Sequence, residues 1–518
     1  MHFASILTVL SLALCRAANA ATSDDWRSKT IYQVLTDRFA RTDGSTTAAC
    51  DTSQGIYCNG TWQGLIDQLD YIQGMGFDAV WISPITKQLE GNTADGSAYH
   101  GYWQQDINAV NEHFGTASDL TNLASELHSR SMLLMIDVVT NHYAYSGSPD
   151  TIDYSIFVPF NDESYFHPYC AIDYSDDTNT TNIEQCWEGD TTVPLPDLKT
   201  EAQNVSAVWD TWVGELVSNY SVDGLRIDSL MEVNTGFWSG FQSAAGVYSV
   251  GEVLEGDEGF VCAFQDYVPG VMNYPMYFPL VAAFESTTGS IYDLADMIDT
   301  IKSCPDTSLL GTFSENHDQP RFASLNGDIA AAKNVLAFTM LTDGIPIVYQ
   351  GQEQHYNAEG GSSTPYNREA LWLSGYNTDA VLYQLVTTLN AIRHHAIADD
   401  SSYTTTQNSH VYNDYTNIAM KKGSVFTVLS NVGSSGSNYT LDIPSGYDAD
   451  TELTELLSCD TLTVDSSGNA TVPMSAGLPR VYYPTSSISG SGLCGASSKR
   501  STTTRNLKPS RHFRFADE

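Results

Sequence analysis

The chain has 518 residues, of which 62 are acidic and 23 are basic, giving a formal net charge of −39. At roughly 150 residues per domain, this length predicts about three domains. The negative charge repels nucleic acid and anionic membrane surfaces, which excludes both as partners and favours an uncharged ligand. Hydrophobic residues make up 42% of the chain and aromatic residues 11%, so disorder is excluded for most of its length.

The first twenty residues have the pattern of a secretory signal peptide. A mostly apolar run, Ile6–Cys15, precedes a small-x-small cleavage pattern at Ala18-Asn19-Ala20. A buried N-terminal helix is the alternative interpretation. No later run reaches the roughly 20 apolar residues that a membrane span needs, so we expect a secreted, extracellular protein. We also expect it to be a monomer. Six Asn-x-Ser/Thr sequons are predicted glycosylation sites: Asn59, Asn179, Asn204, Asn219, Asn438 and Asn469.

Eight cysteines follow the predicted signal peptide, and an even number predicts four disulfides in an exported protein. No Cys-x-x-Cys pair occurs, which argues against a zinc or redox site. Spacing leaves the connectivity open, and pairing of sequence neighbours is the simplest hypothesis because each bond then closes one local loop. The eight are Cys50, Cys58, Cys170, Cys186, Cys262, Cys304, Cys459 and Cys494.

Short β-rich runs alternate with helical patterns from residue 31 to about residue 353. The predicted strands are Ile31–Leu35, Ala79–Ile82, Leu133–Val139, Gly224–Ile227, Tyr248–Val253, Gly311–Phe313 and Ile345–Tyr349. The predicted helices are Leu65–Met75, Ala117–Arg130, Val205–Asn219, Ile291–Ile301 and Ile329–Met340. This alternation over more than about 250 residues predicts an α/β fold, a (β/α)8 TIM barrel over residues 21–400. An open doubly wound sheet is the competing prediction, but no Gly-x-Gly-x-x-Gly motif follows the first strand.

Two regions depart from this alternation. Residues 142–200 form a long connection rich in Tyr, Asp, Thr and Asn, which predicts a subdomain inserted after strand 3 on the C-terminal rim of the barrel. Short β-rich runs in residues 401–485 predict a C-terminal antiparallel β-sandwich domain. Residues 486–518 are rich in Ser, Gly and Thr and then basic, which predicts a disordered tail. The pair Lys499-Arg500 in this tail is either a processing site or part of a plain solvated surface.

Polar residues follow four of the predicted strands, and in a parallel barrel such strand ends point into one site. The four runs are Asp137-Val-Val-Thr-Asn141-His142, Gly224-Leu-Arg226-Ile-Asp228, Gly251-Glu252-Val-Leu and Phe313-Ser-Glu-Asn316-His317-Asp318. Any one carboxylate at a strand end is more often a helix cap or a surface charge. Four strands ending this way indicate instead a shared site that contains three carboxylates, an arginine and two histidines.

Clustered carboxylates suit glycoside hydrolysis, in which one carboxylate attacks the anomeric carbon and another protonates the leaving oxygen. Arg226 and Asp228 are two residues apart and share one face of a strand, so we expect the arginine to keep Asp228 ionised. Glu252 is flanked by the apolar Val253 and Leu254, which favours a raised pKa and the role of the acid.

The four runs, in this order, resemble the signature regions of the alpha-amylase family, and of secreted fungal members in particular. A fifth, Leu195-Pro196-Asp197-Leu198, stands at the end of the long insertion, where that family has it. Three further stretches are also similar to those enzymes, and the resemblance covers residues 24 to 485. They are Asp25-Trp-Arg-Ser-Lys-Thr-Ile-Tyr-Gln, His100-Gly-Tyr-Trp-Gln-Gln-Asp106 and Gly351-Gln-Glu-Gln-His-Tyr356.

The resemblance implies a role for each matching residue. Asp228 is expected to be the nucleophile, Glu252 the general acid and base, and Asp318 the residue that binds sugar hydroxyls and favours the distorted ring. The implied substrate-binding residues are Tyr102, Trp103, His142, Arg226, Glu232, His317 and Arg368. Without the resemblance, Tyr102-Trp103 would be interpreted as ordinary core.

The resemblance also implies one calcium ion between the barrel and the insertion. Its ligands would be Asn141, the carboxylates of Glu184 and Asp197, and the backbone carbonyl of Glu232, which are the hard oxygen donors that calcium prefers. The implied disulfides are Cys50–Cys58, Cys170–Cys186, Cys262–Cys304 and Cys459–Cys494, in agreement with the neighbour hypothesis.

The sequence departs from the family on both flanks of the predicted catalytic residues. Family members follow the nucleophile run with Lys-His, where this chain has Met231 and Glu232, and an aspartate usual before Arg368 is replaced by Thr364. The main prediction is a secreted, endo-acting, retaining alpha-amylase that hydrolyses α-1,4 bonds of starch-like glucans through a covalent glycosyl-enzyme intermediate. The alternatives are a 4-α-glucanotransferase acting on α-1,4-glucan, for which cell-wall glucan is one candidate, and a glucan-binding protein without turnover.

Overall fold

The computed structural model describes residues 21–176 and 178–495. Its largest element is a sheet of eight parallel strands, which we number β1 to β8 in chain order. They are Ile31–Val34, Ala79–Ile82, Leu133–Val139, Gly224–Asp228, Tyr248–Gly251, Gly270–Val271, Gly311–Thr312 and Ile345–Tyr349. The predicted signal peptide and residues 496–518 of the predicted tail lie outside the described residues.

The eight strands close into a barrel. Hydrogen bonding runs in the order β6-β5-β4-β3-β2-β1-β8-β7, with Ile31 of β1 paired to Ala79 of β2 and Ile347 of β8. An isolated parallel bridge between Met272 and Gly311 joins the two ends of the sheet. The predicted TIM barrel is therefore confirmed, and its strands are almost continuously buried, as helices covering a parallel sheet require.

Seven longer helices surround the strands. They are Ala117–Ser129, Gln203–Tyr220, Trp238–Ala245, Tyr274–Phe284, Ile291–Thr300, Ile329–Leu341 and Val381–Asp399. Short helices are Ser23–Trp26, Thr36–Phe39, Trp62–Asp67, Leu69–Gly74, Thr180–Gln185, Glu258–Ala263 and Phe322–Leu325.

Three differences from the predicted elements have physical causes. The single helix predicted over Leu65–Met75 is two short helices, because Gln68 between them leaves the helical region at φ −114° and ψ 13°. Strand β6 has only two residues and gives no periodic signal. The helix Tyr274–Phe284 was missed because it contains two prolines and is buried on most sides, which leaves no amphipathic pattern.

The insertion after β3 contains little regular structure. It holds the helix Thr180–Gln185, several single 3₁₀ turns, and a small hairpin that pairs Glu188–Gly189 with Pro194–Leu195. A second hairpin, Thr86–Gln88 with Gln104–Val110, lies between β2 and β3. The aromatic residues Tyr143, Phe157, Phe160 and Phe166 tie the insertion into the main core.

The C-terminal region is antiparallel, as predicted. Its strands are Ser409–Asn413, Asn417–Lys422, Val425–Ser430, Tyr439–Pro444, Glu452–Glu455, Thr461–Thr463, Asn469–Met474 and Arg480–Pro484. Six of them form one sheet, and Tyr439–Pro444 pairs with Asn469–Met474 in a second. One hydrophobic cluster lies between these two sheets, whereas Ile418, Met420, Leu429, Val481 and Tyr483 pack into the core of the barrel.

The structure joins the four cysteine pairs that the resemblance implied: Cys50–Cys58, Cys170–Cys186, Cys262–Cys304 and Cys459–Cys494. The last pair corrects one predicted boundary. Residues 486–495, predicted to begin a disordered tail, are ordered because Ile488 and Leu493 are buried and Cys494 is bonded to Cys459. Within the described ranges, no helix is both long and apolar enough to cross a membrane.

Candidate active site

A cleft of about 630 Å³ opens where the barrel strands end at their C-terminal edge. It brings together residues that are up to about 270 positions apart in sequence, as the predicted convergence of strand ends requires. Among its lining residues are nine of the predicted catalytic and substrate-binding residues: Tyr102, Trp103, His142, Asp228, Glu232, Glu252, His317, Asp318 and Arg368. The tenth, Arg226, lies beneath them and is 1% exposed.

Arg226 links the two main carboxylates. Its Nη1 donates to Asp228 Oδ1 at 2.7 Å, and its Nη2 lies 2.6 Å from Glu252 Oε2. Asp228 ends β4 and Glu252 directly follows β5, so neighbouring strands deliver both groups to the same guanidinium. The sequence predicted the first contact but not the second.

Asp137 on β3 completes the layer below the cleft. It accepts from Arg226 Nη1 at 3.0 Å, from the Tyr102 hydroxyl at 2.7 Å and from Trp81 Nε1 at 3.1 Å. Burial raises the pKa of Asp137 to about 6, against the opposing attraction of Arg226. A buried cation is thus shared among three carboxylates and cannot turn away from the cleft.

The two carboxylates on Arg226 differ in acidity. Burial raises the pKa of Asp228 to about 6, while Arg226 opposes the rise. Burial raises the pKa of Glu252 further, to about 7, and the negative charges of Asp228 and Asp318 add to it against the attraction of Arg226. Between these values Asp228 is ionised while Glu252 still holds its proton, which is the division that a nucleophile and an acid need.

Asp318 also lines the cleft and is held in its ionised form. It accepts from Arg368 Nη2 at 2.9 Å, and His317 Nε2 lies 3.0 Å from its other oxygen. Burial alone would raise the pKa of Asp318, but His317 and Arg368 outweigh burial and lower it well below its ordinary value. Gln33 fixes the second ring nitrogen of His317 at 2.8 Å.

Aromatic rings form one wall of the cleft. Tyr102 stacks on His317 with ring centroids 5.2 Å apart, and His100 packs against both Tyr102 and Trp103. The hydroxyl of Tyr102 is bound to Asp137, so this ring is fixed in orientation. Such rigid faces suit the apolar faces of sugar rings.

The predicted calcium ligands lie beside the cleft. The buried Oδ1 atoms of Asn141 and Asp197 have no hydrogen-bond partner among the described residues. Glu184 is held by Asn234 at 3.1 Å, and the other Asp197 oxygen accepts from His167 at 2.6 Å. Unpaired buried oxygens of this type fit a hard cation, because otherwise each would cost free energy.

Two of the three departures from the family lie at the cleft. Met231 and Glu232 line the cleft and are nearly buried, and burial together with Glu188 and Glu252 raises the pKa of Glu232 well above its ordinary value. Thr364 is exposed and its hydroxyl lies 3.4 Å from the carbonyl oxygen of His317.

Glu188 is a cleft residue that the sequence analysis missed. Its Oε2 lies 2.8 Å from His142 Nδ1 and accepts from Asn141 Nδ2 at 3.1 Å. Burial disfavours charge on both partners of the pair with His142, but their mutual attraction outweighs it, so the pKa of Glu188 is lowered and that of His142 is raised. No sequence signal identifies Glu188 as a cleft residue, because it follows no predicted strand. Its position directly after Cys186-Trp187 shows only that it belongs to the insertion.

The six predicted glycosylation sites are accessible. Asn469 is partly exposed, and the other five are exposed: Asn59, Asn179, Asn204, Asn219 and Asn438.

Comparison with known proteins decides the family. Residues 33–414 match the model of the alpha-amylase catalytic domain, and residues 410–502 match that of alpha-amylase domain C. The chain belongs to the alpha-amylase family. The resemblance found in the sequence is confirmed, and the chain is a glycoside hydrolase, which sets aside a binding protein without turnover.

Relatives match over nearly the whole chain. Alpha-amylase 2 of Schwanniomyces occidentalis is 50% identical over 511 residues, covering 95% of this chain and all of that protein. The alpha-amylase of Saccharomycopsis fibuligera is 50% identical over 463 residues, covering 89% of this chain and 92% of that protein. A solved alpha-amylase from Malbranchea cinnamomea superposes with a TM-score of 0.89 at 54% identity, covering 92% of this chain and all of that one. Alpha-amylases generally bind calcium and act on α-glucans, and the fungal ones are usually secreted.

Proposed function

We propose that the protein is a secreted, endo-acting alpha-amylase that hydrolyses α-1,4 bonds of starch-like glucans with retention of anomeric configuration. The observation that carries the proposal is the sharing of Arg226 by Asp228 and Glu252 on the wall of one cleft, with Asp318 also lining it. The names of the fungal relatives, all alpha-amylases, support the substrate class.

The first half of the reaction forms a covalent intermediate. Asp228 attacks the anomeric carbon while the bond from that carbon to the bridging oxygen breaks, and Glu252 gives its proton to this oxygen so that the leaving sugar departs as an alcohol. Arg226 keeps Asp228 ionised and holds it in place. Asp318, fixed by Arg368, accepts hydrogen bonds from hydroxyls of the reacting ring, and these strengthen as positive charge develops on the ring.

The second half regenerates both carboxylates. Glu252, now ionised, removes a proton from water, and the water oxygen attacks the anomeric carbon and displaces Asp228. Two inversions give net retention. Tyr102, Trp103, His142 and His317 bind the sugar that is cleaved, and the aromatic wall excludes bulk water from the intermediate.

Calcium would bind at Asn141, Glu184, Asp197 and the backbone carbonyl of Glu232. The ion would connect the insertion to the barrel, since Asp197 belongs to the insertion and Asn141 follows strand β3 of the barrel. It supplies charge and rigidity and takes no part in the bond-breaking steps.

Met231 and Glu232 give specific grounds for a second candidate, a 4-α-glucanotransferase. Both line the cleft. The resemblance places them on the leaving-group side, where family members have a lysine and a histidine, and a change there would alter which acceptor meets the intermediate. If a sugar hydroxyl arrives before water, chain transfer replaces hydrolysis with the same carboxylates.

Product analysis on maltopentaose separates the two. Hydrolysis predicts shorter products and a matching gain of reducing ends, with the α-anomer formed first in proton NMR. Transfer predicts products longer than maltopentaose with little gain of reducing ends. The variant Asp228→Asn should abolish both outcomes, whereas Asp296→Asn, on an exposed helix position, should change neither; the β-anomer as first product would refute retention.

Secretion is supported by the apolar N-terminal run and by four disulfides, which form in oxidising compartments. N-terminal sequencing of the protein from culture medium tests it, and a mature chain starting near residue 21 is expected.

A further inference from the structure

Glu188 is carried to the wall of the cleft by a short, tightly built hairpin. The segment Glu188–Gly189 pairs with Pro194–Leu195, and the bond Cys170–Cys186 anchors the chain two residues earlier. Gly189 has φ +76°, and a Cβ there would lie 2.5 Å from the carbonyl oxygen of Val193, so the turn accepts only glycine. The position of the Glu188 side chain is therefore set by the backbone on both sides.

The two carboxylate oxygens of Glu188 have unequal partners. Oε2 is engaged by His142 Nδ1 at 2.8 Å and by Asn141 Nδ2 at 3.1 Å. Oε1 is within reach of the Ser229 hydroxyl alone, at 3.1 Å, and that hydroxyl lies as close to Oε2 and to Asp228 Oδ2. Because a hydroxyl has one proton to donate, Oε1 keeps acceptor capacity that no described residue fills.

The surroundings of Glu188 favour a neutral, hydroxyl-bearing ligand. The residues that line the cleft near Glu188 include the acidic Glu232, the phenol Tyr174 and apolar side chains such as Met231, Leu195 and Ile183. The ionised carboxylate of Glu188 itself repels an anion, and the described part of this wall offers no lysine or arginine to a carboxylate or phosphate. A sugar supplies what is missing, namely hydroxyl donors for a carboxylate and an apolar ring face for the side chains.

We propose that Glu188 is a specificity-determining residue that binds, through Oε1, a hydroxyl of the sugar unit on the leaving-group side of the scissile bond. The inference rests on the proposed function, because it needs Asp228 and Glu252 to mark where that bond lies. Ser229 directly follows the nucleophile and touches Glu188, so the carboxylate stands beside the reacting bond, on the side where Met231 and Glu232 replace the usual pair.

The test compares two substrates that differ only in having a sugar there. Maltopentaose has sugar units on both sides of the bond that is cut, whereas α-maltotriosyl fluoride has a fluoride as its leaving group. The variant Glu188→Gln keeps one oxygen beside His142 to accept from Asn141 Nδ2, and it replaces Oε1 with an amide donor. The matched control is Glu112→Gln, at an exposed position away from the cleft.

In Glu188→Gln we expect kcat/KM on maltopentaose to fall about 10-fold or more, the loss expected when a hydrogen bond to a charged acceptor is removed. Release of fluoride from α-maltotriosyl fluoride should change less than about 2-fold, since the first step there meets no leaving sugar. Cleavage positions in end-labelled maltopentaose should shift, and Glu112→Gln should behave as the unmodified protein on both substrates.

Equal losses on the two substrates would overturn the proposal, because they would show that Glu188 acts on the catalytic residues through His142 or Ser229. An unchanged ratio with full activity would overturn it as well. The variant Glu188→Leu, compared at equal melting temperature, guards against misfolding and should show the same selective loss. If the unmodified protein turned over neither substrate, the proposed function itself would fail, which is a separate result from either of these.

Discussion

The guanidinium of Arg226 lies 2.6 Å from Glu252, although the sequence pairs this arginine with Asp228, two residues away. The arginine that we propose to stabilise the charged nucleophile thus also touches the proposed acid. Burial nevertheless keeps the pKa of Glu252 above that of Asp228, so the contact narrows the difference between them without reversing it.

The first prediction concerns Glu252→Gln. Because proton donation to the leaving oxygen contributes about 10²- to 10⁴-fold, kcat on maltopentaose should fall by at least this factor. The first-turnover burst of fluoride from α-maltotriosyl fluoride should be far less affected, since fluoride leaves without a full proton transfer, whereas later turnovers also need Glu252 as the base that activates water. A loss of equal size on both substrates would contradict the acid role and point to a positional one.

The second prediction is a bell-shaped pH dependence of kcat/KM on maltopentaose. Below about pH 6 Asp228 becomes protonated and cannot attack, so activity should fall as pH decreases. Above about pH 7 Glu252 loses the proton that it must donate, so activity should fall as pH rises. For α-maltotriosyl fluoride, the limb at high pH should weaken while the limb at low pH stays; the loss of the low-pH limb instead would exchange the two assignments.

The third prediction is that removing Arg226 destabilises the fold. In Arg226→Met three buried carboxylates lose their common cation, which should lower the free energy of unfolding by about 3–5 kcal/mol, measured by urea denaturation. The control is Arg130→Met, whose partner Asp70 is exposed and whose ion pair should contribute below about 1 kcal/mol. Similar effects of the two substitutions would show that the charge layer under the cleft is not a source of stability.

The fourth prediction concerns calcium. Chelation with EGTA should lower the melting temperature, and calcium, but not magnesium, should restore it, because a ligand at 100 times its dissociation constant stabilises by about 2.7 kcal/mol. In Asp197→Asn this difference should shrink, while Asp296→Asn should retain it. A melting temperature that does not change on chelation would contradict the prediction that the protein binds calcium.

Much of the fold could be predicted because most of the barrel strands have a recognisable sequence pattern. Strands such as Leu133–Val139 are continuous apolar runs that end in polar residues, and the order of these endings identified the family. Strand β6 could not be found in this way, since its two residues, Gly270 and Val271, follow a proline and form a strand only through pairing with β5 and the bridge at Met272.

The candidate site could likewise be predicted only where its residues stand at the ends of barrel strands. Asp228, Glu252 and Asp318 follow strands, so their convergence could be foreseen from the barrel alone. Glu188 could not, because a glutamate in an irregular insertion reaches the cleft only through the path that its hairpin and the Cys170–Cys186 bond impose on the chain. The second contact of Arg226 was missed for a similar reason: it crosses between strands, where sequence spacing carries no information.

The shared packing of Ile418, Met420, Leu429, Val481 and Tyr483 with the barrel sets a limit on how far the protein can be shortened. A truncated protein that ended after the barrel would expose a hydrophobic surface where the six-stranded sheet of the C-terminal region had packed. Such a fragment should aggregate on expression even though it contains all of the proposed catalytic residues. The C-terminal β-domain is thus part of the folding unit of the barrel, because it covers part of the hydrophobic core.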